Sequence, residues 1–412
     1  MVGTLLLALC LQEETWTERK LATIPLEVTV RNSGTIFSAD GRAVFWAGKS
    51  EKTGKASIWK NQTPGEGFDN VQRQAINPDG RTLAYMAYEG RKVFMMAGGR
   101  RDPAFDVLTQ AYISDDGNVV AYRAHTPEGE VMVVNGKIGR AYDKVHTPIF
   151  NPKTGEVAYV TSFKDKASLV VGEKEIVVKD QAYFPVWRPD GALVACGFKE
   201  GKESFVIVGD KRMKSYDEVS GPKFAPDGTT VTYSAKRDGK SYIVVGEREV
   251  GPFENAIAYV VDPRLEVAAV AFGKPRELRI LWKGREGVRY DKMLSFSADL
   301  QGRYLLEPAI APDGATFAFR GQREGKWRVI LGDREGPPFE EIGLPAFSRD
   351  GRQVAYTAVI RDEYFIVAGD LQLGPFTFAG PPQLREDGRR VAFGARIGNE
   401  FWWKVSELPQ PR

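Results

Sequence analysis

One short motif recurs ten times along the 412-residue chain. It consists of an aromatic or aliphatic residue, two variable residues, Asp-Gly, and an alternating apolar run that ends in Tyr or Phe. Its copies carry Asp40-Gly41, Asp79-Gly80, Asp116-Gly117, Lys153-Thr154-Gly155, Asp190-Gly191 and Asp227-Gly228, then a degenerate Asp262-Pro263-Arg264, then Asp313-Gly314, Asp350-Gly351 and Asp387-Gly388. Neighbouring glycines lie 36 to 39 residues apart wherever both are present, except for one longer step before Gly314. A fixed period of this length is the mark of a repeat architecture, in which no single unit can bury its own apolar face.

The copy from Pro148 to Val178 shows the content of a unit. Residues 148–151 read as a first strand, 156–160 as a second, 167–171 as a third and 175–178 as a fourth. The Asp-Gly glycine supplies the positive φ of a tight hairpin, which β-branched residues resist, and Asn135-Gly136 serves the second hairpin of its unit in the same way. Four short antiparallel strands must stack on copies of themselves, and a meander without any helical period favours blades. The expected fold is therefore all-β, a β-propeller of about ten four-stranded blades. The final unit ends after Phe401-Trp402-Trp403-Lys404-Val405 without a fourth strand, while residues 26–30 precede the first unit. Closure of a ring by an N-terminal strand would remove both sheet edges. A single ring is the simpler reading, and two five-bladed rings are the alternative. The one insertion, around 295–307, falls after the seventh copy.

Composition narrows the function. Lys plus Arg number 57 against 54 Asp plus Glu, a net charge of +3 with both signs interspersed. Nucleic acid is not expected as a partner, because displacing phosphate counterions needs a concentrated basic surface. Two cysteines, Cys10 and Cys196, and two histidines, His125 and His146, offer neither a disulfide framework nor the ligand spacing of a metal site, so no cofactor or metal is expected.

Residues 1–11 form a short apolar run followed by Gln12-Glu13-Glu14. The run is too short to span a bilayer and reads as the apolar part of an export signal, although a basic stretch before it is missing. Leu7-Ala8-Leu9-Cys10 is similar to a bacterial lipobox, with Leu9 where a small residue is usual, so Cys10 is the candidate lipid anchor. The division expected is 1–11 signal and 12–412 propeller, with a monomeric, periplasmic or secreted product.

The Pro-Asp-Gly signature, followed by runs such as Leu83-Ala84-Tyr85 and Val354-Ala355-Tyr356, resembles the WD40-like (PD40-type) repeats of TolB and its relatives. The resemblance covers nearly the whole chain after Ser33. It implies a bacterial, often periplasmic, protein-binding propeller. TolB also has an N-terminal α/β domain, which residues 1–30 are too few to supply. Related repeats cap serine peptidases of the prolyl oligopeptidase type, but their Gly-x-Ser-x-Gly hydrolase domain has no counterpart in this sequence.

A second element recurs between units, an aromatic residue followed by an acid. It gives Phe68-Asp69, Phe105-Asp106, Tyr142-Asp143, Tyr216-Asp217, Phe253-Glu254, Tyr290-Asp291 and Phe339-Glu340. Placed after each fourth strand, these put one acid per blade on one face. A ring of carboxylates around the channel mouth could bind a cation or a basic peptide, or supply a general acid and base. The plainer expectation is that each aromatic packs between blades and each acid accepts loop N–H groups. His125 and His146 could share a site, and Trp402-Trp403 reads as blade core. The function expected is a non-catalytic platform that binds a protein or peptide on a loop face. The rival is a glycan-active hydrolase or lyase using channel carboxylates.

Overall fold

The computed structural model describes residues 18–408 except 31–33, 110, 275, 283, 295–296, 299–303, 306–308, 312–315, 333, 350 and 386–387. The export-signal segment and Cys10 lie outside these residues. Among the described residues every regular element is a β-strand, joined by turns, bends and irregular segments. Besides one two-stranded hairpin the chain forms ten antiparallel blade sheets in sequence, with blade 1 spanning 28–64, blade 2 70–105, blade 3 112–142, blade 4 144–179 and blade 5 181–212. Blades 6 to 10 span 218–253, 256–286, 292–335, 341–376 and 378–407. Each is a four-stranded meander, and in several the first strand is split into two short pieces that pair with the same second strand. First strands of neighbouring blades touch, as Ile149–Phe150 touches Gln181–Trp187 and Ala346–Phe347 touches Gln383–Leu384, so first strands are innermost.

The sequence explains why the blades stack. In the second strand of most blades a small residue precedes an aromatic one, and the two point to opposite faces of the blade. Ala121, Ala158 and Ala355 face the following blade, whereas Tyr122, Tyr159 and Tyr356 face the preceding one. Where the pair occurs, the interface sets a ring against a methyl group, and all six residues named are at most 6% exposed. Ten apolar clusters result, each shared by two adjacent blades. The last of them joins blade 10 to blade 1 through Ala392, Phe401 and Trp403 on one side and Phe37, Val44 and Trp46 on the other. Ten blades and ten interfaces make one closed ring, not two.

The closing strand is not the one expected. Val28–Val30 pairs with Val44–Ser50 as the innermost strand of blade 1, and Glu18–Thr23 supplies the fourth strand of blade 10 by pairing with Glu400–Glu407. Glu18, Arg19 and Lys20 are exposed on the ring's outer wall, so this strand lacks the apolar alternation that marks the inner one. The chain start and the last strand are tied further by Lys20 to Glu400 at 2.9 Å and by Lys404 to Glu18. The insertion likewise lies within a unit: a two-stranded hairpin, Ser297–Ala298 with Tyr304–Leu305, interrupts the first strand of blade 8 between Lys292–Leu294 and Ala309–Ile310.

The Asp-Gly hairpins form as read. Gly80 and Gly117 have φ of +73° and +75°. The aspartate before each folds back on the turn, as when Arg81 N–H donates to Asp79 at 2.9 Å and Asn118 N–H to Asp116 at 3.0 Å. Asn135-Gly136 turns with φ of +49° and +80°.

Candidate functional site

The acids that follow the fourth strands all lie on the face carrying the turns between second and third strands. Five of them clamp that turn in the next blade: Gly90 N–H donates to Asp69 at 2.8 Å, Lys164 N–H to Asp143 at 2.8 Å and Asp238 N–H to Asp217 at 2.9 Å. Glu324 N–H donates to Asp291 at 3.1 Å and Arg361 N–H to Glu340 at 2.8 Å. The same acids donate their own N–H groups to the end of the second strand, Asp69 to the Tyr88 carbonyl and Asp143 to that of Ser162. They therefore sit over the hairpin turns in the middle of the face rather than at the mouth of the channel. Asp106 instead takes the Lys92 ammonium at 2.6 Å, and Glu254 has Lys274 at 3.5 Å.

A lysine at the start of the third strand, fourteen residues before the acid, reaches it in several blades. Lys55 pairs with Asp69 at 2.7 Å and Lys326 with Glu340 at 3.4 Å. The Lys55 hydrogen bond, aided by the Gly90 N–H, holds the Asp69 carboxyl below its ordinary range, and the Arg361 N–H followed by Lys326 does the same for Glu340. Asp180 belongs to the set, with Gly201 N–H at 2.7 Å and Lys166 at 2.6 Å. It escapes the sequence pattern because Lys179 precedes it where the others have an aromatic residue. The spacing from Lys166 was the signal that could have found it.

A further clasp was not read from the sequence. Where the recurrent aromatic is tyrosine, its hydroxyl meets a glutamate on the next blade's fourth strand. Tyr216 donates to Glu249 at 2.7 Å and Tyr290 to Glu335 at 2.5 Å. Arg237 grips Glu249 with both nitrogens, at 3.0 and 2.9 Å, and Arg323 grips Glu335 at 3.2 and 3.0 Å. Tyr142 and Arg140 hold Glu175 in the same manner. The Arg237 guanidinium, Lys214 and the Tyr216 hydroxyl bring the Glu249 carboxyl down to about 2. These are outer struts between blades 3 and 4, 5 and 6, and 7 and 8. Between the outer strands of blades 7 and 8 they border an open cleft of about 1050 Å³, lined in part by Trp282, Arg285, Val288 and Arg334.

Two polar groups break the repeat. Asp102, buried in the fourth strand of blade 2, takes Arg100 at 2.6 Å and the Tyr122 hydroxyl at 3.2 Å. At the junction of blades 3 and 4, Glu130 lies 3.3 Å from His125 and accepts the Val145 N–H at 2.8 Å. His146 is the next residue, and burial, Lys144 and Arg123 depress its pKa while Glu130 opposes them. The two histidines thus share one carboxylate neighbourhood. Among the described residues no three His, Cys, Asp or Glu side chains converge to hold a metal ion. Trp403 is core at 1% exposure, and Trp402 lies partly open beside Lys20 and Lys404.

Apolar side chains are also presented on the turn face. Leu26 precedes Glu27, whose carbonyl accepts the Glu51 N–H of blade 1's turn, and Val107 accepts from His125 N–H. Phe163 and Ile397 open the turns of blades 4 and 10. All four are exposed, Leu26 at 96% and Val107 at 53%. Phe184, in a register shift of blade 5's innermost strand with φ of +54°, is 57% exposed.

The fold defines the class: an all-β, ten-bladed, single-ring propeller. No family model and no curated relative matches the chain, so the TolB-like signature remains a similarity of motif. The solved structures that match do so at low identity. Dihydro-heme d1 dehydrogenase NirN in complex with DHE matches at 13% identity and a TM-score of 0.42, over 87% of this chain and 77% of that one. The Dos1 propeller matches at 11% and 0.36, over 95% and 94%. An oligogalacturonate lyase in complex with manganese matches at 12% and 0.36, over 76% and 98%. At these identities the likeness concerns the fold alone.

Proposed function

We propose that the protein is a non-catalytic binding platform outside the cytoplasm, which recognises a protein or peptide on the face formed by the turns between second and third strands. The observation that carries this reading is the exposure of Leu26, Val107, Phe163 and Ile397 on that face. Large apolar side chains set among charges are the usual anchors of protein recognition, because their desolvation supplies most of the binding energy. The acids contribute in a second way. With one oxygen committed to the turn, an acid such as Asp143 or Asp217 presents the other in a fixed direction, which suits a basic group on the partner.

The test is affinity capture from a cell-envelope extract with the full chain, beside a chain carrying Val107→Ser, Phe163→Ser and Ile397→Ser. The expected result is a stoichiometric protein partner that the triple variant fails to retain while melting at the wild-type temperature. Turnover of a glycan on the same preparation, with no retained protein, would overturn the reading. It would move attention to the His125, Glu130 and His146 neighbourhood, where the repeat is broken.

A further inference from the structure

The three struts of tyrosine and glutamate share a plan, and one of them departs from it in a way that opens space. Two residues before the strut tyrosine, Arg140 and Lys214 lie along the tyrosine ring, 5.3 and 5.6 Å from its centre. Each reaches the strut glutamate, Arg140 to Glu175 at 3.1 Å and Lys214 to Glu249 at 2.6 Å. Between blades 7 and 8 the same position is Val288, which is too short to fill that volume and is 50% exposed. Blades 7 and 8 are also neighbours whose described fourth strands, Arg285–Glu286 and Arg334–Glu335, are both two residues long. The short side chain and the short strands together leave the cleft of about 1050 Å³. Small-molecule sites commonly enclose roughly 300–1,000 Å³, so the space suits one ligand.

Charge and shape identify the occupant. On the blade 8 side Glu335 is already met by Arg323 at 3.0 Å, Arg328 at 3.9 Å and the Tyr290 hydroxyl. On the blade 7 side Arg285 pairs in register with Trp282, so both side chains leave the sheet on the same face. Trp282 marks that face as the one toward blade 8, since its ring meets Phe317 edge-on with centroids 4.6 Å apart. The lysines at the matching position of the other struts, Lys137 and Lys211, hold Glu173 and Glu247 of the next blade. Arg285 lines the cleft and has no side-chain partner among the described residues. Glu286, next along the strand, belongs to the opposite face and is held by Arg279 at 2.7 Å. The wall is thus cationic and in part apolar.

We propose that this cleft binds a small organic carboxylate with an apolar ring, the carboxylate on the Arg285 guanidinium and the ring against Trp282, Val288 and Ile280. One uncompensated guanidinium suits one carboxylate, whose two oxygens match its planar fork. A bare inorganic ion would leave Val288 uncovered. The site lies on the outer wall, apart from the turn face, and stands whether or not that face is a platform.

The test is a ligand-observed NMR titration of the full chain with naphthoate and with cyclohexanecarboxylate, beside their neutral counterparts naphthalenemethanol and cyclohexanemethanol. At least one carboxylate should saturate a single site with a dissociation constant of about 0.1–1 mM. Its neutral counterpart should bind at least about tenfold more weakly, and Arg285→Gln should weaken the carboxylate at least about fivefold. Val288→Lys, which restores the side chain of the other struts, should abolish binding while leaving the melting temperature at or above that of the wild type. No saturation by either carboxylate, equal binding of the neutral alcohol, or undiminished binding in Val288→Lys or Arg285→Gln would overturn the proposal.

Discussion

Replacing Phe401 with alanine tests whether the ring behaves as one closed body. Phe401 is 0% exposed and packs at the junction of blades 10 and 1, with ring centroids 5.6 Å from Trp46 and 6.2 Å from Phe37. Truncating a fully buried phenylalanine removes roughly 150–250 Å² of apolar burial and leaves a cavity, a loss of about 3–5 kcal/mol. With an unfolding entropy of roughly 2 cal/mol/K per residue over the chain, that corresponds to a fall in melting temperature of about 5 °C. Phe205→Ala is the internal comparison, because Phe205 is equally buried at the junction of blades 4 and 5. In a closed ring the two junctions are equivalent. Calorimetry and urea unfolding should give similar losses for both variants, each in one transition. Ile397→Ala, at a position 42% exposed, should fall within ~0.5 kcal/mol of wild type. A Phe401→Ala protein as stable as wild type, or one that loses only an early partial transition while Phe205→Ala lowers the main one, would refute closure through this interface.

Three other outcomes follow from the same geometry. Asp143→Ala and Asp217→Ala each remove the acceptor of a turn N–H, so each should cost about 1–2 kcal/mol, with faster amide exchange at Lys164 or Asp238. Glu249 is held down to about 2 from an ordinary 4.5, so its contribution is full above pH 4.5 and is lost as the pH falls toward 2. The melting temperature of the wild type should therefore fall more steeply across that interval than that of Glu249→Gln. Burial raises the Cys196 thiol to about 12, so an aromatic disulfide reagent at pH 8 should leave it untouched in the native protein and modify it on unfolding.

The repeat was legible because its determinants are local. Gly80 and Gly117 need positive φ wherever the hairpin occurs, and Ala121-Tyr122 or Val157-Ala158-Tyr159 alternates because a strand has two faces. The aromatic-acid element was legible as a pattern, and the packing of the aromatic and the loop hydrogen bonds of the acid both form. Its radial position was not, since Asp69 is drawn to Gly90 by a turn in the next blade. The pairing of Tyr216 with Glu249 joins residues 33 apart, and no periodicity within one unit shows that a hydroxyl will find a carboxylate in the following one.

The sequence by itself determined that about ten four-stranded units exist, where their turns fall and which strand faces are apolar, all consequences of residue types within a few positions of one another. Only the tertiary structure decided which strand closes the ring. Glu18–Thr23 is an outer strand with one face in solvent, and what recruits it is the unpaired edge of Glu400–Glu407 some 380 residues away. The same holds for the junction of His125, Glu130 and His146, which arises from how blades 3 and 4 meet rather than from the content of either blade.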